Sequence, residues 1–494
     1  MIFVYLEGHD FKYEVAELIK LFYSNIQIEF VENKALVDDQ SLLIENRLFL
    51  KSNNYYVETK VYKSNKCLSK NVMKRVESID ILSSDIRKIT KLSIKQSIFG
   101  ALSNISSVKV PWGVLTGIRP TKIVHDLINK QIESKDISQI LLTQYKLSEE
   151  KAKLIIDIAQ TERKVIKQDC INRFSLYVSI PFCPTRCLYC SFPSNSVEKY
   201  GDEMDNYTEK LIYEIENTAK LLSDKHIDTV YIGGGTPTAL SVNNLDKIIK
   251  KIYSQFDTDT INEFTVEAGR PDTINQEMLK MLRDNNIKRI SINPQTMCGN
   301  TLKTIGRNHT PNDIIRAFKL ARKLGFEIIN MDIIVGLPSE NSDHVTETMK
   351  QISSLEPDNL TVHTMAIKRA SKLKESLKDY SLSKQKTIED MLSITQEYAS
   401  KLGMHPYYLY RQKQILGNYE NVGYSKPNKE CKYNILIMEE IQTIVAVGAG
   451  GTSKFYYPKE DRIERVANVK NLYEYMKRVD EMINKKEKFI NALT

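Results

Sequence analysis

Cysteine is scarce in this chain, with seven residues in 494. They are too few and too unevenly spread for a disulfide framework. Tryptophan occurs once, as Trp112, which reads as a core anchor. The longest apolar runs, such as Ile444–Gly450, fall far short of the ~18 residues that cross a bilayer. The opening MIFVYLEGHD has no basic stretch and no small-residue cleavage site, so no signal peptide and a cytoplasmic location are expected. Internal repeats, low-complexity tracts and RNA-recognition signatures are lacking as well, and no nucleic-acid partner is expected. The stretch VGAGGTSKF, Val447–Phe455, does not satisfy G-x4-G-K-[ST] and reads as a turn. The formal charge of +8 is spread along the chain, which suits a solvated surface or an acidic small-molecule substrate. What remains is an ordinary globular composition, 41% hydrophobic and 27% charged, over a length that suits two or three domains.

Residues 1–165 read as an α+β region, from the strand-like IFVYLE through the alternating RLFLKSNNYYVETKVY. Ser148 has the character of an N-cap, with Glu149 and Glu150 in the first turn of a helix reaching about Val165. Over 170–375 short apolar runs alternate with amphipathic helices. The expected strands are SLYVSI (175–180), DTVYI (228–232), EFTVEA (263–268), KRISIN (288–293), FEIINMDIIV (326–335) and NLTVHT (359–364). A helix with Met204, Tyr207, Leu211, Ile215 and Ala219 on one face follows the first strand. Six strand–helix units imply an α/β fold, an incomplete (β/α)6 barrel with its chemistry at the C-terminal strand ends. Residues 376–494 read as an α+β C-terminal domain that closes with one amphipathic helix through VKNLYEYMKRVDEMI.

Three cysteines, Cys183, Cys187 and Cys190, sit in the loop after the first barrel strand with the spacing C-x3-C-x2-C. Three thiolates on a [4Fe–4S] cube leave one iron open. That iron can chelate an amine together with a carboxylate, as the methionine end of S-adenosylmethionine (SAM) offers. A structural zinc site with Cys170 as fourth ligand is the competing reading. It is disfavoured because such sites pair their ligands, whereas three of these lie in one loop. Cys298 and Cys431 read as buried hydrophobes, and His309 and His363 as structural histidines.

The segments SIPFCPTRCLYCSFPS, GGGTP (Gly233–Pro237) and TGIRPTK resemble the radical SAM superfamily. Within it they resemble the oxygen-independent coproporphyrinogen III oxidase (coproporphyrinogen dehydrogenase) family, in its HemZ-type branch. The resemblance covers Leu176 to about Phe455. It implies a radical SAM barrel whose cluster is held by Cys183, Cys187 and Cys190. It also implies that Tyr177, Gly234 and Glu267 serve a first SAM. Tyr189, Gly235, Thr236, Gln295, Arg307, Asp332 and the backbone at Ala366 would serve a second, with Arg307 pairing a carboxylate and Asp332 accepting from a ribose hydroxyl. The chain departs from the family pattern at Ser179, where a histidine is common, at Phe192, where some members have a fourth cysteine, and in the loop AGRPD after Glu267.

The implied activity is oxidative decarboxylation of two propionates of coproporphyrinogen III to vinyls, giving protoporphyrinogen IX in anaerobic haem biosynthesis. The implied partners are that substrate or another tetrapyrrole, and an electron donor such as flavodoxin or ferredoxin. Arg119, Lys122, Lys368, Arg369 and Arg411 are candidate contacts to the carboxylates. The alternative is a haem-binding, haem-chaperone relative that keeps the cluster without decarboxylating. Reconstituted protein is expected to hold about four irons and four sulfides per chain. Cys187→Ala should abolish the broad iron–sulfur absorption, and stoichiometric zinc in place of iron would refute the cluster.

Overall fold

The computed structural model describes residues 1–494 apart from 24–25, 35–36, 38–39, 75–85, 118, 167–171, 368–370, 372, 374–384, 413–418 and 494. Cys170, Lys368 and Arg369 lie outside the described residues. Two units emerge, Met1–Ala159 and Gln160–Thr494. The first break falls within the helix Glu149–Val165 rather than after it. Residues 376–494, expected as a separate domain, belong to the same unit as the barrel strands.

In the first unit, β1 (Ile2–Glu7), β2 (Ile28–Val31), β3 (Leu42–Lys51), β4 (Asn54–Lys63) and β5 (Lys66–Lys74) form a sheet of order β2-β1-β3-β4-β5. The alternating stretch after Arg47 becomes the β3–β4 hairpin. Its turn residues Ser52 and Asn53 have φ of 48° and 62°, the left-handed pair that matches strand twist in a two-residue turn. Val15 and Leu18 of helix Lys12–Phe22 and Ile94 and Ile98 of helix Ile86–Ser103 share one core with Ile2, Val4 and Ile44. Trp112 is buried, and Ser148 Oγ accepts from the Lys151 N–H at 3.3 Å, the expected cap.

In the second unit the strands are β6 (Arg173–Ile180), β7 (Phe182–Cys183), β8 (Asn195–Ser196), β9 (His226–Gly234), β10 (Glu263–Gly269), β11 (Arg289–Ile292), β12 (Ile328–Val335), β13 (Asn359–Thr364), β14 (His405–Tyr410), β15 (Asn421–Ser425), β16 (Thr443–Val447), β17 (Thr452–Tyr457) and β18 (Arg462–Ala467). The six expected strands are β6, β9, β10, β11, β12 and β13, and they pair in that order, all parallel. Parallel strands are covered on both faces, and RISI of β11 is accordingly buried at every position. Intervening helices start at local caps: Ser241, Asn275, Thr310 and Asn341 each accept from a backbone N–H of the first turn. None of the described helices is long and apolar enough to cross a membrane.

The C-terminal region extends this sheet at both edges. β16 adds parallel to β6 and carries β17 and β18 antiparallel, while β15 adds antiparallel to β13 and carries β14. The single closing helix expected from the sequence is two, Leu472–Lys477 and Val479–Ile490. Arg478 leaves helical geometry at φ −118°, ψ 23° between them. The break lets a residue of each helix reach one target, Glu214, which lies in the middle of helix Met204–Leu221. Glu214 accepts from Tyr475 Oη at 2.6 Å, Asn468 Nδ2 at 2.7 Å, the Gly448 N–H at 2.7 Å and Lys486 Nζ. The Glu214 and Lys486 side chains are both 0% exposed, so neither charge has water to fall back on. Lys486→Met should therefore cost about 3–5 kcal/mol by stranding a buried carboxylate. The denaturation midpoint of the whole chain measures this, and an unchanged midpoint would show that the pair does not hold the fold.

Candidate functional site

The C-terminal ends of β6 and β9 to β13 open on a cavity of about 310 Å³, room for a small ligand. Of the residues marked out in the sequence, Cys183, Cys187, Cys190, Tyr189, Gly234, Gly235, Thr236, Glu267, Gln295, Arg307, Asp332 and Ala366 line it. Tyr177 does not. Its ring packs behind the wall, 6.3 Å from Tyr231 and 6.2 Å from Tyr433 between centroids. Arg411 is buried and also absent from the lining, and burial lowers its guanidinium to about 10. Arg119 and Lys122 belong to the other unit.

The cysteine loop is held from two sides. The Leu188 N–H donates to Ile305 O at 3.0 Å, and Thr185 Oγ1 to Gly306 O at 2.8 Å. From the other side comes Arg270 of the AGRPD loop, 3% exposed. Its Nη1 donates to Thr185 O at 3.1 Å and to Thr185 Oγ1 at 2.8 Å. Its Nε and Nη2 take both oxygens of Asp272, at 2.9 and 2.7 Å. Burial opposes ionisation of Asp272, but His309 and Arg270 outweigh it and hold that carboxyl far below its ordinary value. Arg270 was missed as a functional candidate. The signal available was an arginine directly after a strand that ends in the site.

The GGGTP loop lies against the cysteines through its backbone. The Gly235 N–H donates to Ile180 O at 2.7 Å, the Thr236 N–H to Phe182 O at 2.7 Å, and Thr236 Oγ1 lies 3.5 Å from Cys183 Sγ. A Cβ on Gly235 would sit 2.5 Å from Phe182 O, 2.9 Å from Ile180 O and 3.0 Å from Cys183 Sγ. Only glycine permits that approach. Ser179 Oγ donates to Ala449 O at 2.9 Å.

The polar wall comes from successive strands. Glu267, at the end of β10, accepts from Tyr231 Oη at 2.6 Å. Burial raises its carboxyl to about 7; the Tyr231 hydrogen bond opposes the rise and the charge of Asp332 adds to it. Asp332 of β12 accepts from Asn330 Nδ2 at 2.7 Å. Burial pushes it up, but His363 and Asn330 prevail and its carboxyl stays below the usual range. His363, read as structural, lines the cavity. Its Nε2 is 3.7 Å from Asp332 Oδ2 and its Nδ1 is 3.0 Å from Tyr410 Oη. Arg307 donates to Asn293 O and, at 3.4 Å, to Tyr189 Oη. Gln295 is held at φ +67°, a region costly for a non-glycine residue and characteristic of functional sites. Among the described residues Gln295 Oε1 and Arg307 Nε are buried without a hydrogen-bond partner. Cys431 lies outside the cavity, its Sγ 3.2 Å from Glu263 Oε1, and Cys298 is partly buried.

This arrangement fits an iron–sulfur cluster with an adenosyl ligand. Three thiols share a loop that faces the cavity, and the glycine backbone leaves a cradle that a Cβ would fill. Burial pushes the Cys183 and Cys190 thiols up, so a cation is what would draw them into the thiolate form. Two buried polar atoms are left for a ligand to satisfy.

Fold and site define a radical SAM enzyme. A family described as the radical SAM superfamily matches residues 177–352. The chain is 36% identical, over 84% of its length and 84% of the relative's, to an oxygen-independent coproporphyrinogen-III oxidase-like protein, HemZ, of Bacillus subtilis. It is 30% identical to a heme chaperone, HemW, of Lactococcus lactis, over 56% of this chain and 69% of that one. The solved structure of the coproporphyrinogen III oxidase HemN of Escherichia coli has the same fold, with a TM-score of 0.52 at 22% identity over 66% of this chain and 73% of that one. The chain belongs to the oxygen-independent coproporphyrinogen-III oxidase-like (HemZ) family of the radical SAM superfamily. Membership implies a [4Fe–4S] cluster, SAM, an electron donor and a substrate.

Gly235→Ala tests the cradle while leaving all three cysteines in the sequence. Its methyl would be driven into a backbone carbonyl and a cysteine sulfur, so iron and sulfide retained after anaerobic reconstitution should fall well below wild type. Full retention would show that the loop yields.

Proposed function

We propose that this chain carries out the oxidative decarboxylation of coproporphyrinogen III to protoporphyrinogen IX. One observation carries the reading: a single cavity gathers the three thiols, the glycine cradle and the polar set Glu267, Gln295, Arg307 and Asp332. Bound cluster and SAM supply a 5′-deoxyadenosyl radical, given one electron from a carrier such as flavodoxin or ferredoxin. The chain's own residues bind and orient. Cys183, Cys187 and Cys190 hold three irons. The backbone at Gly234 approaches the SAM amino group, and Glu267 accepts from the first SAM. Tyr189, Gly235, Thr236, Gln295, Arg307, Asp332 and the Ala366 backbone receive a second, Arg307 through a carboxylate and Asp332 through a ribose hydroxyl. Tyr177 acts from behind the wall. The substrate propionate would give a hydrogen atom from its β-carbon to that radical, then lose CO2 and pass one electron to an external one-electron acceptor, leaving a vinyl group. Two propionates need two radical equivalents, which two SAM molecules meet without reloading. The reading places the protein in the cytoplasm, in haem biosynthesis, with three functional regions at 1–165, 170–375 and 376–494.

A haem-handling role is the second reading, supported by the heme chaperone relatives. Anaerobic turnover with SAM, dithionite and coproporphyrinogen III separates the two. The product mass should show loss of two CO2 and four hydrogens, with 5′-deoxyadenosine formed alongside. Because Arg307 also braces Asn293 and Tyr189, Arg307→Lys is the variant of choice. It keeps the charge and loses the fork, so vinyl product per 5′-deoxyadenosine should fall roughly tenfold, about 1.5 kcal/mol of charge-assisted hydrogen bonding. SAM cleavage with no vinyl product, together with stoichiometric haem binding, would transfer the assignment to haem handling.

A further inference from the structure

Glu267 faces the cavity, and behind it stand three tyrosines. Tyr231 of β9 donates to Glu267 Oε1 at 2.6 Å. Its ring stacks on Tyr433, of helix Lys432–Glu439, with centroids 4.5 Å apart and planes at 22°. It also stacks on Tyr177 of β6 at 6.3 Å and 24°, and Tyr177 and Tyr433 are themselves 6.2 Å apart at 15°. The stacked rings brace Tyr231 on the side away from the cavity, and its hydroxyl is aimed at Glu267. Nothing about this tyrosine was visible as a site feature in the sequence, where it is one aromatic residue inside a strand.

On the reading that Glu267 receives SAM, we propose that Tyr231, wedged between Tyr177 and Tyr433, is a positioning residue that fixes Glu267 as the anionic acceptor for the adenosyl cofactor. The titratable groups packed around that carboxyl are Tyr231 of β9, Tyr177 of β6, Tyr433 of the C-terminal region and Asp332 of β12, and the Gly234 backbone also hydrogen-bonds it and favours its ionised form. Three are phenols, and burial together with the neighbouring carboxylate raises each well above its ordinary range, so they stay neutral donors. Asp332 is the one neighbouring anion among them, and it opposes ionisation of Glu267. Tyr231 is the phenol that bonds directly to the carboxyl and counters both Asp332 and burial. A protonated Glu267 would present a donor where an acceptor is needed, so removing the Tyr231 hydroxyl should shift SAM binding along the pH axis rather than abolish it. The role assigned to Tyr177 follows: it acts on the cofactor through Tyr231 and Glu267, not by contact.

The test is equilibrium dialysis of SAM against anaerobically reconstituted full-length protein from about pH 6 to 9, for wild type, Tyr231→Phe and Glu267→Gln. Wild-type affinity should weaken as pH drops below about 7, where Glu267 takes up a proton. Tyr231→Phe keeps the ring and the stack, and its weakening should begin at higher pH. An upward displacement of about one unit reduces affinity about fivefold at pH 7 and by almost nothing at pH 9. Glu267→Gln should bind weakly with no step. Titration of the SAM amino group is common to all three proteins and cancels in their ratios. An unchanged profile in Tyr231→Phe, a loss equal at every pH, or a step that survives in Glu267→Gln would each overturn the positioning role. A wild type that binds no SAM at any pH would instead overturn the function proposed above.

Discussion

A carboxylate and an ammonium with no exposed surface, Glu214 and Lys486, decide where the end of the chain lies against the barrel. Neither can be left alone in the interior, so every element that offers a partner is fixed relative to the others. Glu214 brings the helix after the cysteine loop, Gly448 brings the turn after β16, and Asn468 brings the segment after β18. Tyr475 and Lys486 bring the last two helices. The turn is thereby pressed onto β6. A Cβ on Gly448 would lie 2.3 Å from Ser179 O, which already accepts from Tyr207 Oη at 2.6 Å. Ser179 precedes the cysteine loop by a few residues, so a polar cluster outside the cavity sets the strand from which the thiols hang.

The second constraint is electrostatic. The cysteine loop carries no regular structure beyond the two residues of β7, and loops of this kind hold a shape only when their polar groups are bound elsewhere. Arg270 does this with one guanidinium. Two of its hydrogen bonds go to Thr185 in the middle of the cysteine spacing, and two go to Asp272 just after the strand that carries Glu267. The cluster loop and the strand that carries Glu267 are therefore tied together through one side chain.

The alternation of apolar runs and amphipathic helices was enough to place all six barrel strands, because parallel strands buried on both faces read as largely apolar runs. The cysteine spacing and the glycine run were legible for a similar reason: each demands particular residues at fixed intervals. What stayed hidden depends on contacts distant in sequence. β16 and β15 were visible only as apolar and mixed stretches, and nothing local says that they pair with β6 and β13 at opposite edges. The break at Arg478 lies inside a clean helical period and follows from the demand of Glu214, some 260 residues earlier. His363 and Arg270 are single residues without a pattern, and only their neighbours show that they face the cavity.

Gln295 sets backbone comfort against side-chain chemistry. At φ +67° a glycine or an asparagine would sit more easily, and a design procedure that ranks residues by stability would favour one of them. The gain in the fold would come from removing an amide whose oxygen is buried in the cavity wall. Stability and site composition are thus opposed at one position. Thermostable versions of this enzyme obtained by selecting for folding alone will tend to lose this residue early, and any such engineering should hold residue 295 fixed.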